Sequence, residues 1–91
     1  MATVFIPSLM QKLTEGRATV EVSGSSVREV IHNLEQEYPG VKERLVDRFK
    51  VRSGFTVAVD GQVTPIGLLE KVREDSEVHF LPAVGGGAPT A

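Results

Sequence analysis

The chain has 91 residues, a net charge of −2 and no cysteine. That length fits one small domain without a deep enzyme pocket, so any chemistry is expected to be shared with a partner. Twelve acidic against ten basic residues leave neither nucleic acid nor an anionic membrane as an expected target, and the missing cysteine excludes disulfides, thiolate metal sites, iron–sulfur clusters and a cysteine nucleophile.

No basic residue precedes Val4-Phe5-Ile6 and Pro7 cuts that apolar run, so neither a signal peptide nor a membrane span is expected, and the cytoplasm is the default location. Thr3 to Ile6 predicts a first strand. Arg17 to Val22 predicts a second, with Ala18, Val20 and Val22 inward and Arg17, Thr19 and Glu21 outward. Ser26-Val27-Arg28-Glu29 is a Ser-x-x-Glu capping box: Ser26 would accept from the amide of Glu29, and the Glu29 carboxylate would return to the amide of Ser26. The helix that starts there carries Val27, Val30, Ile31, Leu34 and Tyr38 in one stripe, its core face. Pro39 disfavours helical torsions at Tyr38 and Gly40 follows, so the helix ends near Glu37, with room for a short helical turn from Val41 to Val46.

Arg48, Lys50 and Arg52 alternate with Phe49 and Val51, the pattern of a solvated strand or loop edge, with docking as the alternative. Phe55, Val57 and Val59 mark a further strand, and Asp60-Gly61 is a pair suited to a tight hairpin turn, which leads to Val63. Ile66 to Val72 is apolar at irregular spacing, Arg73 to Ser76 makes a polar turn, and Glu77 to Leu81 is the last strand with Val78 and Phe80 inward. His32 and His79 lie on different elements without a cysteine nearby, so no metal site is expected and His32 reads as a surface helix residue.

The order strand, strand, helix, strand, strand, strand, followed by Phe80-Leu81-Pro82-Ala83-Val84-Gly85-Gly86-Gly87, resembles the ubiquitin-like sulfur carriers typified by ThiS and MoaD. Ser26 to Glu35 and Tyr38-Pro39-Gly40-Val41-Lys42-Glu43-Arg44-Leu45 are most similar to the carriers of actinobacterial cysteine biosynthesis. The resemblance implies an α+β domain of the β-grasp class over residues 1–84, a mixed sheet with one main helix packed across it, and a flexible tail over 85–91. It implies a carrier, not an enzyme, with no catalytic side chain and no bound cofactor. Gly87, preceded by Gly86, would be the activated terminus: a ThiF/MoeB-like enzyme using ATP and Mg would adenylate it, and sulfur would then convert it to a thiocarboxylate for a downstream sulfur-accepting enzyme.

The glycines suit that task, because residues without Cβ let an extended chain enter a narrow channel. Here, however, Ala88-Pro89-Thr90-Ala91 follow, and while they are attached the Gly87 carbonyl is an inert amide. Relatives with such an extension lose it to a JAMM-type metalloprotease, which implies a processing site between Gly87 and Ala88, with Gly86 as the alternative terminus. A phosphate loop at Gly85-Gly86-Gly87 would need a following helix, and four residues do not make one.

If Val78 and Phe80 face the helix and the first strand lies beside the last, then Phe5, His79 and Leu81 turn outward next to Pro82 and the tail. This group is the expected partner surface of a chain that is monomeric when free. Two rival readings stay open: a protein modifier conjugated through Gly87, and a β-grasp binding module whose tail is never activated.

Overall fold

The computed structural model describes residues 1–82, which form a five-stranded mixed sheet in the order β2-β1-β7-β5-β6 and a separate two-stranded hairpin, β3–β4. The strands are β1 (Ala2–Phe5), β2 (Thr19–Val22), β3 (Val46–Asp47), β4 (Lys50–Val51), β5 (Phe55–Val59), β6 (Gln62–Val63) and β7 (Glu77–Pro82). The helices are α1 (Val27–Glu37) and α2 (Val41–Leu45), with 3-10 turns at Ser8–Thr14 and Gly67–Leu69. β1 runs parallel to β7 at the centre, and the pairings of β1 with β2 and of β5 with β6 and β7 are antiparallel. This is the β-grasp arrangement, with α1 across one face of the sheet.

The apolar stripe of α1 supplies the core. Val27, Val30, Ile31 and Leu34 are buried and pack with Val4, Val20, Val22, Val57, Val78 and Phe80 from the inner face of the sheet, while Tyr38 is only half-buried at the edge. The inner residues come from alternate positions of each strand, as the pleat requires. Ala18 does not join them: it is exposed, and β2 starts at Thr19, two residues later than its alternation suggests. The Ala18 carbonyl is nonetheless used, accepting from Ile6 N–H at 2.8 Å.

Capping sets where α1 begins. Ser26 Oγ accepts from Glu29 N–H at 3.1 Å, as the capping box requires, but the Glu29 carboxylate returns one residue earlier than expected, accepting from Ser25 N–H at 2.7 Å and Ser25 Oγ–H at 3.1 Å. The Ser26 position forms an isolated bridge with Lys71, made by Val27 N–H to Glu70 O at 2.9 Å and Val72 N–H to Ser25 O at 3.0 Å. That bridge ties the helix start to the segment before β7. The hydrogen bonds from Ser25 also hold the Glu29 carboxyl below the usual carboxylate range. At the other end, Glu35 spans the gap between the helices: its carboxylate accepts from Gly40 N–H and Lys42 N–H, capping α2.

The Asp60-Gly61 turn has φ of 53° and 85°, so both central residues are left-handed, as a two-residue hairpin between twisted strands demands. Asp60 adds a second role. Its Oδ1 accepts from Glu77 N–H at 2.9 Å and its Oδ2 from the buried Ser76 hydroxyl at 2.8 Å, which fixes the entry to β7.

Candidate functional site

Because β7 alternates, burying Val78 and Phe80 obliges Glu77, His79 and Leu81 to face away from α1. The central register builds a row across that outer face. Phe5 on β1 lies opposite His79 on β7, His79 opposite Ala58 on β5, and Ala58 opposite Val63 on β6. One step along β7, Leu81 is paired with Thr56.

This outer face has two exposed apolar points: Val63 is 62% and Leu81 42% exposed. Phe5 is less exposed than the alternation alone suggests. The His79 ring stacks on it, centroids 3.9 Å apart and planes 8° apart, leaving Phe5 half-buried. The His79 Nε2 is also 3.7 Å from Glu77 Oε1, so a protonated imidazole would meet a carboxylate there.

The structure therefore brings Phe5, His79 and Leu81 to one face, as expected from the strand order, and places them at the end of β7 that leads into the tail. Pro82 is the last residue of β7 and pairs with Phe55. Gly86, Gly87 and Ala88, the expected activation and processing positions, lie outside the described residues, as does the tail over 85–91. Sequence reasoning missed Val63 and Ala58. The signal was present, since an Asp60-Gly61 two-residue turn pairs the flanking residues and so carries Val63 to the same side as Ala58.

A second set of exposed apolar side chains lies on the helix side. Phe49 alternates with Arg48 and Lys50 in sequence, but it sits in the turn between β3 and β4 and is 93% exposed, whereas Val51, half-buried, packs against the core. A turn interrupts the alternation, so the charge pattern around Phe49 does not report an inward face there. Leu69 and Ile66, 71% and 54% exposed, stand beside it.

The sequence model of the ThiS family matches residues 4–87. The sulfur carrier protein CysO of Mycobacterium tuberculosis is 33% identical over 90 residues, covering 93% of this chain and 97% of that protein. Among solved structures, the CysO of the Amycolatopsis orientalis BexX/CysO complex superposes with a TM-score of 0.88 at 34% identity, covering 96% of this chain and all (100%) of that one. The crystal structure of Mycobacterium tuberculosis CysO gives 0.88 at 31% identity, over 92% of this chain and 100% of that one. Small archaeal modifier protein 1 of Methanosarcina acetivorans shares the fold, with a TM-score of 0.74 at 21% identity over 94% of this chain and 95% of that one.

Proposed function

This chain belongs to the ThiS family and is a sulfur carrier of the CysO and ThiS type, and from that premise we propose that its reacting group is the carboxylate of Gly87, released by cleavage before Ala88. The observation that carries this reading is where the family match stops: it runs through Gly87 and leaves Ala88 to Ala91 outside.

The chemistry needs no side chain of the carrier. A carboxylate oxygen of Gly87 attacks the α-phosphorus of ATP, pyrophosphate leaves, and the acyl-adenylate that results is electrophilic where the carboxylate was not. A sulfur nucleophile then displaces AMP to leave the thiocarboxylate. ATP and Mg belong to the adenylating partner, for which a ThiF/MoeB-like enzyme is the chemical class. A JAMM-type metalloprotease fits the trimming step, and a sulfur-accepting biosynthetic enzyme the final one. The carrier's contribution is to present the tail and to be held while it reacts. The exposed side of β7, with Leu81 on the same face as Phe5 and His79, supports that role because β7 ends at Pro82, five positions before Gly87 in sequence. That a CysO with 34% identity was solved in complex with BexX supports a protein partner for this chain as well.

Intact-mass spectrometry tests the reading. The chain truncated after Gly87, given a ThiF-like enzyme, Mg-ATP and a sulfur source, is expected to gain the mass of one oxygen replaced by sulfur; the chain ending at Ala91 is expected to stay unchanged. A matched protease should release Ala-Pro-Thr-Ala and restore the reaction. Thiocarboxylation at Ala91, or equal reaction of chains ending at Gly86 and Gly87, would refute the assigned terminus. Adducts of higher mass on lysines would instead favour a protein modifier.

A further inference from the structure

We propose that the groove between α1, α2 and the β3–β4 hairpin is a second docking surface, and that its occupant is an acidic protein segment anchored by one large apolar side chain. The groove encloses about 730 Å³ on the helix side of the molecule, away from the outer sheet face that carries Leu81. Three separate elements bring cations to it: Arg28 from α1, Lys42 from α2 and Arg48 from the hairpin turn. His32, exposed on α1, adds an imidazole to the lining.

Little opposes that charge. Glu29 is the one carboxylate lining the groove, and its Oε1 already accepts from Ser25 N–H and Oγ–H. Among the described residues the one salt-bridge contact is His79 with Glu77, so none of Arg28, Lys42 and Arg48 lies within salt-bridge distance of a described carboxylate. A cationic groove on a chain of net charge −2 is a local feature that complements an acidic partner.

The apolar part has the same address. Phe49 and Leu69, 93% and 71% exposed, stand at the groove with buried Ile31 and Leu68 behind them. The turn that displays Phe49 holds Arg48 at a φ of 61°, a left-handed conformation that glycine adopts more readily than arginine. Exposed aromatic and arginine side chains are the types that most often anchor protein interfaces. The concave shape suits a protruding acidic segment better than a flat lipid surface, and Glu29 counts against it only weakly because its Oε1 is already engaged by Ser25. The inference does not depend on activation of the tail, because the residues that carry it, Arg28, Lys42, Arg48, Phe49 and Leu69, precede β7.

The test titrates the 15N-labelled full chain with a blocked peptide of aspartates and glutamates around one phenylalanine. Saturable amide shifts at Arg28, Lys42, Phe49 and Leu69 are expected, weaker at about 300 mM than at about 50 mM salt because screening shortens the reach of the charges. Phe49→Ala should weaken the peptide on the order of tenfold and leave the melting temperature unmoved. Arg48→Gly should weaken it too while raising the melting temperature, a pairing that a purely structural role for Arg48 would not produce. A peptide with lysines in place of the acids, or with alanine in place of the phenylalanine, should bind worse. The proposal is overturned by no saturable shift, by shifts confined to Phe5, His79 and Leu81, or by equal binding of the lysine peptide. Preferential binding to phosphatidylcholine–phosphatidylserine vesicles, or concentration-dependent shifts of Phe49 in the chain alone, would overturn it in favour of a membrane or of a second copy.

Discussion

The imidazole of His79 lies flat on the ring of Phe5, with 3.9 Å between centroids, because the parallel pairing of β7 with β1 sets the two residues side by side on the outer face of the sheet. The contact gives Phe5 a share in stability that its neighbour Leu81 lacks, and it joins the first strand to the last at the end where the tail begins.

Phe5→Ala and Leu81→Glu should therefore differ. Loss of the stacked pair is expected to cost about 0.5–1.5 kcal/mol in addition to lost buried area. Leu81→Glu, at a 42% exposed position, should change stability by less than about 0.5 kcal/mol. Both should slow thiocarboxylation of the chain truncated after Gly87. Denaturant melts beside that rate make the check: an equal loss of stability in the two variants would contradict the burial difference.

Leu34, fully buried (0% exposed) in the α1 stripe, is the measure of the core. Leu34→Ala should destabilise by about 2–5 kcal/mol, since the neighbours fill the cavity only in part. A urea melt that moves by less would mean that the stripe does not face the sheet.

Gly24 is held by a close approach. A Cβ built there would sit 2.8 Å from Val30 Cγ2 and 2.9 Å from the Val30 backbone nitrogen, and its φ of 152° is itself unusual for a residue with a side chain. The backbone of α1 cannot yield as a flexible side chain could, so Gly24→Ala is expected to cost about 1–3 kcal/mol through overpacking. Thermal melts decide it; an unchanged melting temperature would show that the loop before α1 can move aside.

Asp60 should leave an acid signature. Hydrogen bonds from Glu77 N–H and the Ser76 hydroxyl hold its carboxyl below the usual carboxylate range. The folded state therefore binds the proton less readily than the unfolded state, and the Asp60 contribution is complete above the ordinary aspartate pKa of about 3.9. It is lost as pH falls from there through the lowered folded value. Urea midpoints measured across that range should fall more steeply for the native chain than for Asp60→Asn, whose side chain does not titrate. Parallel curves would remove Asp60 from the acid response.

Much of the fold was legible from single residues and their neighbours. The Ser26 cap, the stripe from Val27 to Leu34, the Asp60-Gly61 turn and the alternation of Val78 with Phe80 are local patterns, and each has one dominant physical outcome. From the alternation of Val78 with Phe80, and from the adjacent first and last strands that the family resemblance implied, it followed that Phe5, His79 and Leu81 share a face. What stayed hidden depended on contacts between distant segments. The Glu29 carboxylate went to Ser25 rather than Ser26, and the Ser26 position bridges Lys71, forty-five positions on in sequence numbering and adjacent only in the fold. Glu35, an ordinary surface residue by its pattern, became the cap of α2 once the chain turned at Gly40.

By itself the sequence determined the apolar periods, the turn chemistry and the placement of Gly86 and Gly87 after the last strand, because these reside in covalent order and in torsions that neighbours restrict. Only the tertiary structure decided how exposed each outward residue became. His79 covers Phe5 because two strands far apart in sequence pair in parallel, and Phe49 stands 93% exposed because a turn breaks the alternation around it. Solvent exposure is set by everything that packs around a side chain, and what covers Phe5 comes from a strand more than seventy positions away that no local pattern connects to it.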